Sequence, residues 1–176
     1  MSRYRRMSRT NSVGLLILFV SCLVLGAYGM ISMTSRDPLW FLRGFEDRPS
    51  RIVVYQAGQR TELLPGQAGF DVLAEAVEAS LAQGFARLTS SGMSDHTLQN
   101  AYTQHLTLEV FWDQPVELHA WFPTGQTTQM LFPITGPHSE VLLVLLGDGG
   151  RYRAGAPTLE SLEPIHRALR SLGYDF

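Results

Sequence analysis

An unbroken apolar segment at residues 13–32 constrains this chain more than any other feature. Its sequence is Val-Gly-Leu-Leu-Ile-Leu-Phe-Val-Ser-Cys-Leu-Val-Leu-Gly-Ala-Tyr-Gly-Met-Ile-Ser, with no charged side chain. An α-helix of this length extends about 30 Å, which matches the hydrocarbon thickness of a bilayer. The sequence therefore predicts one membrane-spanning helix, preceded by a short basic tail at residues 1–12 and followed by a globular region.

Charged residues are distributed unevenly around this segment. The tail contains four arginines and no acidic residue, whereas residues 33–176 contain ten arginines and all sixteen acidic residues of the chain. Positive residues that flank a membrane helix favour the cytoplasmic side. We therefore predict a cytoplasmic N-terminus and an extracytoplasmic domain at the cell membrane. The acidic balance of that domain gives no electrostatic reason to bind nucleic acid, and we expect no nucleic-acid partner.

Two kinds of processing compete with an uncleaved signal anchor. The tripeptide Ala27-Tyr28-Gly29 fits a small-x-small cleavage site, and the single cysteine, Cys22, loosely fits a lipidation site. The apolar segment is longer than the roughly 7–15 residues of a typical signal-peptide core, and apolar residues continue after Cys22. We therefore predict an uncleaved signal anchor in which Cys22 faces lipid as a small apolar residue. Cleavage and lipidation stay open as alternatives.

Residues 33–50 are predicted to connect the membrane helix to one domain at residues 51–176. Asp37-Pro38 should end the helix, because proline lacks an amide hydrogen and its ring clashes with the preceding turn. Three aromatic residues lie close to the expected membrane boundary, where aromatic side chains commonly form an interfacial belt. They are Trp40, Phe41 and Phe45. The alternative is that these rings cover the base of the domain core.

Hydrophobic periodicity in residues 51–176 predicts helices and several antiparallel strands. The expected elements are a β-hairpin at 51–64, an amphipathic helix at about 69–87, a helical turn at 96–102 capped by Ser94 or Asp95, a hairpin that turns near Gln114, a strand at 128–134, a central strand at 141–146 and a final helix that begins near Ser161 with Pro164 in its first turn. This order predicts an α+β fold. We expect a mostly antiparallel sheet of about six to seven strands, with two main helices packed on one face.

The best candidates for chemistry are four side chains on the polar face of the hairpin expected around Gln114. They are His105, Glu109, Glu117 and His119. Cross-strand neighbours would bring imidazole and carboxylate groups together, and such groups bind zinc or another divalent cation. The alternative is a solvated sheet face with ordinary polar pairs. We favour that alternative and predict no catalytic residue, no cofactor and no bound metal.

Three aromatic residues in the same region are candidates for a partner-binding surface. They are Phe111, Trp121 and Phe132. The predicted strands place them among polar neighbours, and exposed aromatic groups of this kind mark protein interfaces. The alternative is that the loop at residues 89–103 covers them.

Several short sequence motifs in the globular region resemble those of one group of proteins. They are Pro49-Ser-Arg-Ile-Val-Val-Tyr55, Leu64-Pro65, Gly69-Phe70, Leu108-Glu-Val-Phe-Trp-Asp-Gln-Pro115 and Leu131-Phe-Pro-Ile-Thr-Gly136. In this succession the chain resembles an uncharacterised family of small bacterial membrane-anchored extracytoplasmic proteins over about residues 49–160. The motifs are structural, so the resemblance implies no activity and carries over no functional residue.

These features predict a non-catalytic, membrane-tethered domain that binds a partner outside the cytoplasmic membrane. The short connector would keep the domain near the bilayer, so the expected partner is a membrane protein and the chain would be an accessory subunit of a larger complex. A metal-dependent or hydrolytic envelope enzyme is the first alternative. An envelope sensor is the second, although the short cytoplasmic tail leaves little room for a signalling module.

Overall fold

The computed structural model of the chain describes residues 12–42, 44–90 and 92–176. Its first element, α1 (Ser12–Ser35), has 24 residues and extends about 36 Å. It is long and apolar enough to cross a membrane, and its apolar stretch is not buried inside the protein. A helix is therefore present where the sequence predicts a membrane span at residues 13–32. The arginines of the basic tail lie outside the described residues.

The rest of the described chain contains eight strands and three further helices. In chain order these elements are β1 (Arg51–Gln56), β2 (Gln59–Leu63), α2 (Phe70–Ala82), β3 (Phe85–Thr89), α3 (Asp95–Gln104), β4 (Leu106–Glu117), β5 (Gln126–Pro133), β6 (Leu145–Asp148), β7 (Arg151–Tyr152), β8 (Ala156–Leu159) and α4 (Glu163–Ser171).

Six of the strands form one antiparallel sheet in the order β2-β1-β4-β5-β6-β7. The two longest strands, β4 and β5, pair at its centre. Strands β3 and β8 form a separate antiparallel pair. An isolated bridge links Thr158 of this pair to Leu143, which lies two residues before β6. The structure confirms the predicted α+β fold with its mostly antiparallel sheet.

Both faces of the main sheet are covered. Alternate residues of a strand point to opposite faces, and α2 and α4 pack together on one face, as predicted. The core on that side includes Leu73 and Val77 of α2, Ile165 and Leu169 of α4, and Val54, Leu108, Val110 and Phe132 of the sheet. The opposite face carries a smaller cluster, Leu131, Leu143, Leu145 and Ala156, which is covered partly by Leu98 and Tyr102 of α3.

Turn and capping residues occupy the positions that the sequence predicts. Ala57 and Gly58 turn β1 into β2 with φ angles of 48° and 85°, as a tight two-residue hairpin requires. Ser94 caps α3 by accepting a hydrogen bond from the Thr97 amide at 3.2 Å. Pro164 lies in the first turn of α4, where its missing amide hydrogen removes no helical hydrogen bond.

The hairpin predicted around Gln114 is wrong. Residues 106–117 form the single strand β4, which pairs with β5 on both sides of the expected turn. The register shifts between Phe111 and Val116, and the exposed residues Asp113-Gln114-Pro115 lie in this irregularity. Proline cannot donate to a strand ladder and is tolerated at a bulge. The residues that suggest a turn therefore interrupt a strand without ending it.

The helix expected to reach residue 87 is shorter than predicted. It ends at Ala82, and the chain then passes through Gly84, whose φ of 93° favours glycine. Residues 85–89 form β3, in which only Phe85 is buried. Leu88, which the helical pattern places on the buried face, is 45% exposed.

The apolar run at residues 141–146 is not a central strand. Only its last two residues belong to β6, which lies next to the edge strand β7. Val144 and Leu146 nevertheless join the larger core, while Leu143 and Leu145 join the smaller cluster on the opposite face. Burial on both faces explains the continuous apolar sequence, even though the strand is not in the middle of the sheet.

Candidate functional site

The connector after α1 turns back towards the helix that it leaves. Asp37 is only 6% exposed, and its Oδ1 atom accepts a hydrogen bond from the Leu39 amide at 2.7 Å. The Tyr28 hydroxyl, two helical turns before the end of α1, donates to the Pro38 carbonyl at 3.0 Å. Residues 37–41 therefore form a compact turn beside the end of α1.

A carboxylate–imidazole contact joins this turn to the globular domain. His119 lies just after β4, and its Nδ1 atom is 2.9 Å from Oδ2 of Asp37. The two side chains are 25% and 8% exposed, and a hydrogen bond shielded from water in this way is strengthened by the low local dielectric. We call this contact the Asp37–His119 clamp. Sequence reasoning misses it, because 82 residues separate the partners and no local pattern links them.

Two of the three predicted interface residues lie beside α1. Phe41 is 52% exposed, and its ring contacts that of Tyr28 edge to face with centroids 6.1 Å apart. Trp40 contacts Phe41 in the same manner at 5.9 Å. Phe45, in contrast, is buried in the main core against Trp112, with centroids 5.7 Å apart. The predicted interface role of Phe45 is therefore wrong, because the connector reaches the domain before this residue.

A cavity of about 210 Å³ lies between the turn and the domain, and we call it the connector cavity. Its wall includes Trp40, Leu42, Phe85, His119, Trp121 and Glu160. A carboxylate that is hydrogen-bonded to one imidazole nitrogen is the arrangement that orients a histidine as a general base. However, the described residues that line this cavity include no serine, threonine or cysteine. They therefore provide no hydroxyl or thiol nucleophile for covalent catalysis.

The four residues of the candidate metal site do not come together, because β4 is one strand. These residues are His105, Glu109, Glu117 and His119. Thr107 and Glu117, near the two ends of β4, pair with Pro133 and Gln126 of β5. These two partners lie seven residues apart on β5, and a strand segment of seven residues spans about 23 Å. Within the described residues, no three His, Cys, Asp or Glu side chains are grouped so that they could hold one metal ion.

Glu109 is instead buried at the centre of a hydrogen-bonded group. Its Oε2 atom accepts a hydrogen bond from the Tyr55 hydroxyl at 3.0 Å, and its Oε1 atom accepts from Tyr102 at 3.0 Å and also from Tyr152. The glutamate is 6% exposed. We call these four residues the tyrosine–carboxylate cluster. Because charge-assisted hydrogen bonds are stronger than neutral ones, the cluster ties β1, α3 and β7 to the central strand β4.

The cluster predicts a loss of stability at alkaline pH. Burial raises the pKa of the Tyr152 and Tyr102 hydroxyls above the ordinary value of 10.0, and the nearby Glu109 charge raises both further. The fold thus favours the neutral phenols, so their contribution is complete below about pH 10 and is lost as the pH rises above it. We expect the free energy of unfolding to fall above this pH in denaturant titrations. Tyr152→Phe should be less stable at pH 8 but should show a shallower alkaline decline, and an unchanged decline would contradict this assignment.

The three aromatic residues predicted to form a partner surface do not share one. Phe132 is fully buried in the main core, so its predicted role is wrong. Phe111 is partly covered by Arg51, whose guanidinium carbon lies 3.9 Å from the ring centroid. Trp121 is 53% exposed and contacts Phe122 with ring centroids 5.2 Å apart. The face expected to join Phe111 and Trp121 depended on the hairpin that does not form, and of the three residues only Trp121 lines the connector cavity.

Three other histidines lie away from the clamp. His105 and His138 line a second cavity of about 210 Å³ beside α3, together with Met93, Thr97 and Asn100. His166 packs edge to face against Phe176 at 5.3 Å, and burial lowers the pKa of its imidazole. Neither arrangement adds a side chain to the clamp.

No family model, curated protein or solved structure matches this chain. The family resemblance suggested by its motifs therefore stays a prediction. Within the described residues, the chain combines an α+β fold with one N-terminal helix that is long and apolar enough to cross a membrane.

Proposed function

We propose that this protein is a non-catalytic, membrane-tethered domain that acts outside the cytoplasmic membrane as a binding module or accessory subunit of a larger membrane protein complex. In this proposal α1 spans the bilayer with its arginine-rich tail in the cytoplasm, since positive residues favour that side. The acidic domain then lies at the outer surface of the membrane.

The observation that carries this proposal is the Asp37–His119 clamp. The contact at 2.9 Å forms only two residues after α1 ends. The domain is therefore fixed next to the C-terminal end of the helix and has little freedom to move away from it. A domain held in this way meets the extramembrane parts of neighbouring membrane proteins. The exposed ring of Trp121, on the wall of the adjacent cavity, provides the kind of aromatic contact that is enriched at protein interfaces.

Mild detergent extraction of the full-length protein tests the proposal. We expect a complex of fixed stoichiometry with a membrane protein, measured by native electrophoresis and mass spectrometry. The chain itself should stay in the membrane fraction after alkaline extraction. A protein that elutes repeatedly as a lone monomer would contradict the accessory-subunit proposal.

A pair of matched variants locates the contact surface. Trp121→Asp should weaken the complex by about tenfold or more, because it replaces an aromatic contact with a charge that must be desolvated. Val72→Asp is the control, since Val72 is 43% exposed on α2 and does not line the connector cavity. Equal effects of the two variants would exclude Trp121 from the interface.

A further inference from the structure

The histidine of the Asp37–His119 clamp provides a hydrogen-bond acceptor at the connector cavity, which it lines. A carboxylate only accepts hydrogen bonds, so the contact with Asp37 places a hydrogen on Nδ1 of His119. In the neutral imidazole the other nitrogen, Nε2, then carries a lone pair and no hydrogen. Within the described residues this atom has no hydrogen-bond partner and is not enclosed. The clamp therefore leaves one imidazole nitrogen able to accept a hydrogen bond from a ligand.

Carboxylates without a cationic partner surround this nitrogen. Glu160 lines the connector cavity and is exposed. A neighbouring cavity of about 330 Å³ shares His119 as a wall residue and adds the carboxylates of Glu46, Asp47 and Glu117. None of these four acidic residues forms an ion pair within the described part of the chain, and no described residue on either wall is an arginine. The negative potential of the two cavities therefore favours a cation.

Aromatic rings form much of the remaining wall of the connector cavity. They include Trp40, Phe85 and Trp121. The face of an aromatic ring attracts a cation within about 6 Å of its centroid, and tryptophan does so most strongly. The same rings offer apolar surface to a hydrocarbon stem. A metal ion fits less well, because no three ligating side chains are grouped within the described residues. The wall therefore suits an organic cation that ends an alkyl chain.

We propose that the connector cavity receives a lysine side chain of the partner protein, whose ammonium group donates to Nε2 of His119 and pairs with the Glu160 carboxylate. This inference rests on the proposed function and specifies its contact surface. The chain contains no lysine, so a second copy cannot supply this side chain. The ammonium of a phospholipid headgroup fits less well, because the phosphate close behind it would face the carboxylates of the neighbouring cavity.

The probe n-butylammonium, which reproduces the end of a lysine side chain, tests the cavity without a partner. Saturation-transfer NMR of the full-length protein in detergent should show that it binds about fivefold more tightly than 1-butanol, a neutral probe of the same length. Glu160→Gln should weaken the binding of n-butylammonium by about threefold. Glu75→Gln changes an exposed carboxylate of α2 that lines neither cavity, so it should have no effect. Equal affinities for the two probes, or equal effects of the two variants, would overturn the cation site and leave the proposed function standing.

Carbodiimide cross-linking of the co-purified complex identifies the occupant, because this reagent joins a carboxylate to a primary amine. Mass spectrometry should find Glu160 joined to a lysine of the partner, and Glu160→Gln should abolish this cross-link. Coupling of Glu160 to an amine-bearing phospholipid would overturn the inference in favour of a lipid headgroup. An intact complex without a cross-link at Glu160 would overturn it as well. A lone monomer that still binds n-butylammonium would refute the proposed function and, with it, the partner's lysine.

Discussion

Glu109→Ala should lower the free energy of unfolding by about 3 kcal/mol, the range seen when a buried polar network loses its common partner. The substitution removes the acceptor of the Tyr55, Tyr102 and Tyr152 hydroxyls at once. It also leaves a space at a position that is 6% exposed. Urea unfolding of the full-length protein in detergent, followed by tryptophan fluorescence, measures the change.

Two variants make this prediction specific. Glu117→Ala removes the same side chain from the exposed end of β4, so it should change the stability by less than about 0.5 kcal/mol. Glu109→Gln keeps one carbonyl oxygen as an acceptor and fills the same space, so it should lose less stability than Glu109→Ala. Equal stabilities of Glu109→Ala and Glu117→Ala would show that the tyrosine–carboxylate cluster does not stabilise the fold.

Asp37→Ala should release the domain from the C-terminal end of α1. The substitution removes the acceptor of the Leu39 amide and the partner of His119, and losing such contacts at a buried carboxylate costs about 2 kcal/mol. Most of this cost should appear as local opening of the connector, because the hydrogen-bond partners of Asp37 lie outside the strands of the main sheet. They are Ser35, Leu39 and His119. Spin-label distances between α1 and the domain should change from one narrow distribution to a broad one.

Proteolysis provides an independent measurement of the same opening. Chymotrypsin cleaves after aromatic residues, and cleavage after Trp40 or Phe41 should become about tenfold faster in Asp37→Ala, in proportion to the population of the open connector. Asp113→Ala changes an exposed carboxylate in the β4 irregularity and should leave the rate unchanged. A narrow spin-label distribution and a normal cleavage rate in Asp37→Ala would show that the clamp does not hold the domain.

Features that depend on neighbouring residues were predictable from the sequence. The β1–β2 turn follows from Ala57 and Gly58, the start of α3 from Ser94, and the start of α4 from Pro164, because each residue acts on the backbone within a few positions. The fold class follows from the order and periodicity of these elements. The membrane-interface role of Trp40 and Phe41 stays a prediction.

Features that depend on distant pairing were not predictable. The sequence Asp113-Gln114-Pro115 is equally suited to a turn and to an irregularity within a strand. Only the pairing of β4 with β5 decides between these two structures. That single error moved His105 and His119 onto one predicted hairpin. The clamp joins residues 82 positions apart, and the cluster joins Glu109 to Tyr55 and Tyr152, which are 54 and 43 positions away, so no local pattern indicates these contacts.

In the proposed function, the folded connector would limit how far the domain can search for partners beside the membrane. Residues 36–50 would reach about 50 Å if they were extended. A domain as long as residues 51–176 has a radius of gyration of only about 14 Å. With the connector turned back, encounters take place in a thin layer next to the bilayer. Lateral diffusion and the surface density of partners then set the encounter rate, and dilution in the surrounding fluid has little effect on it.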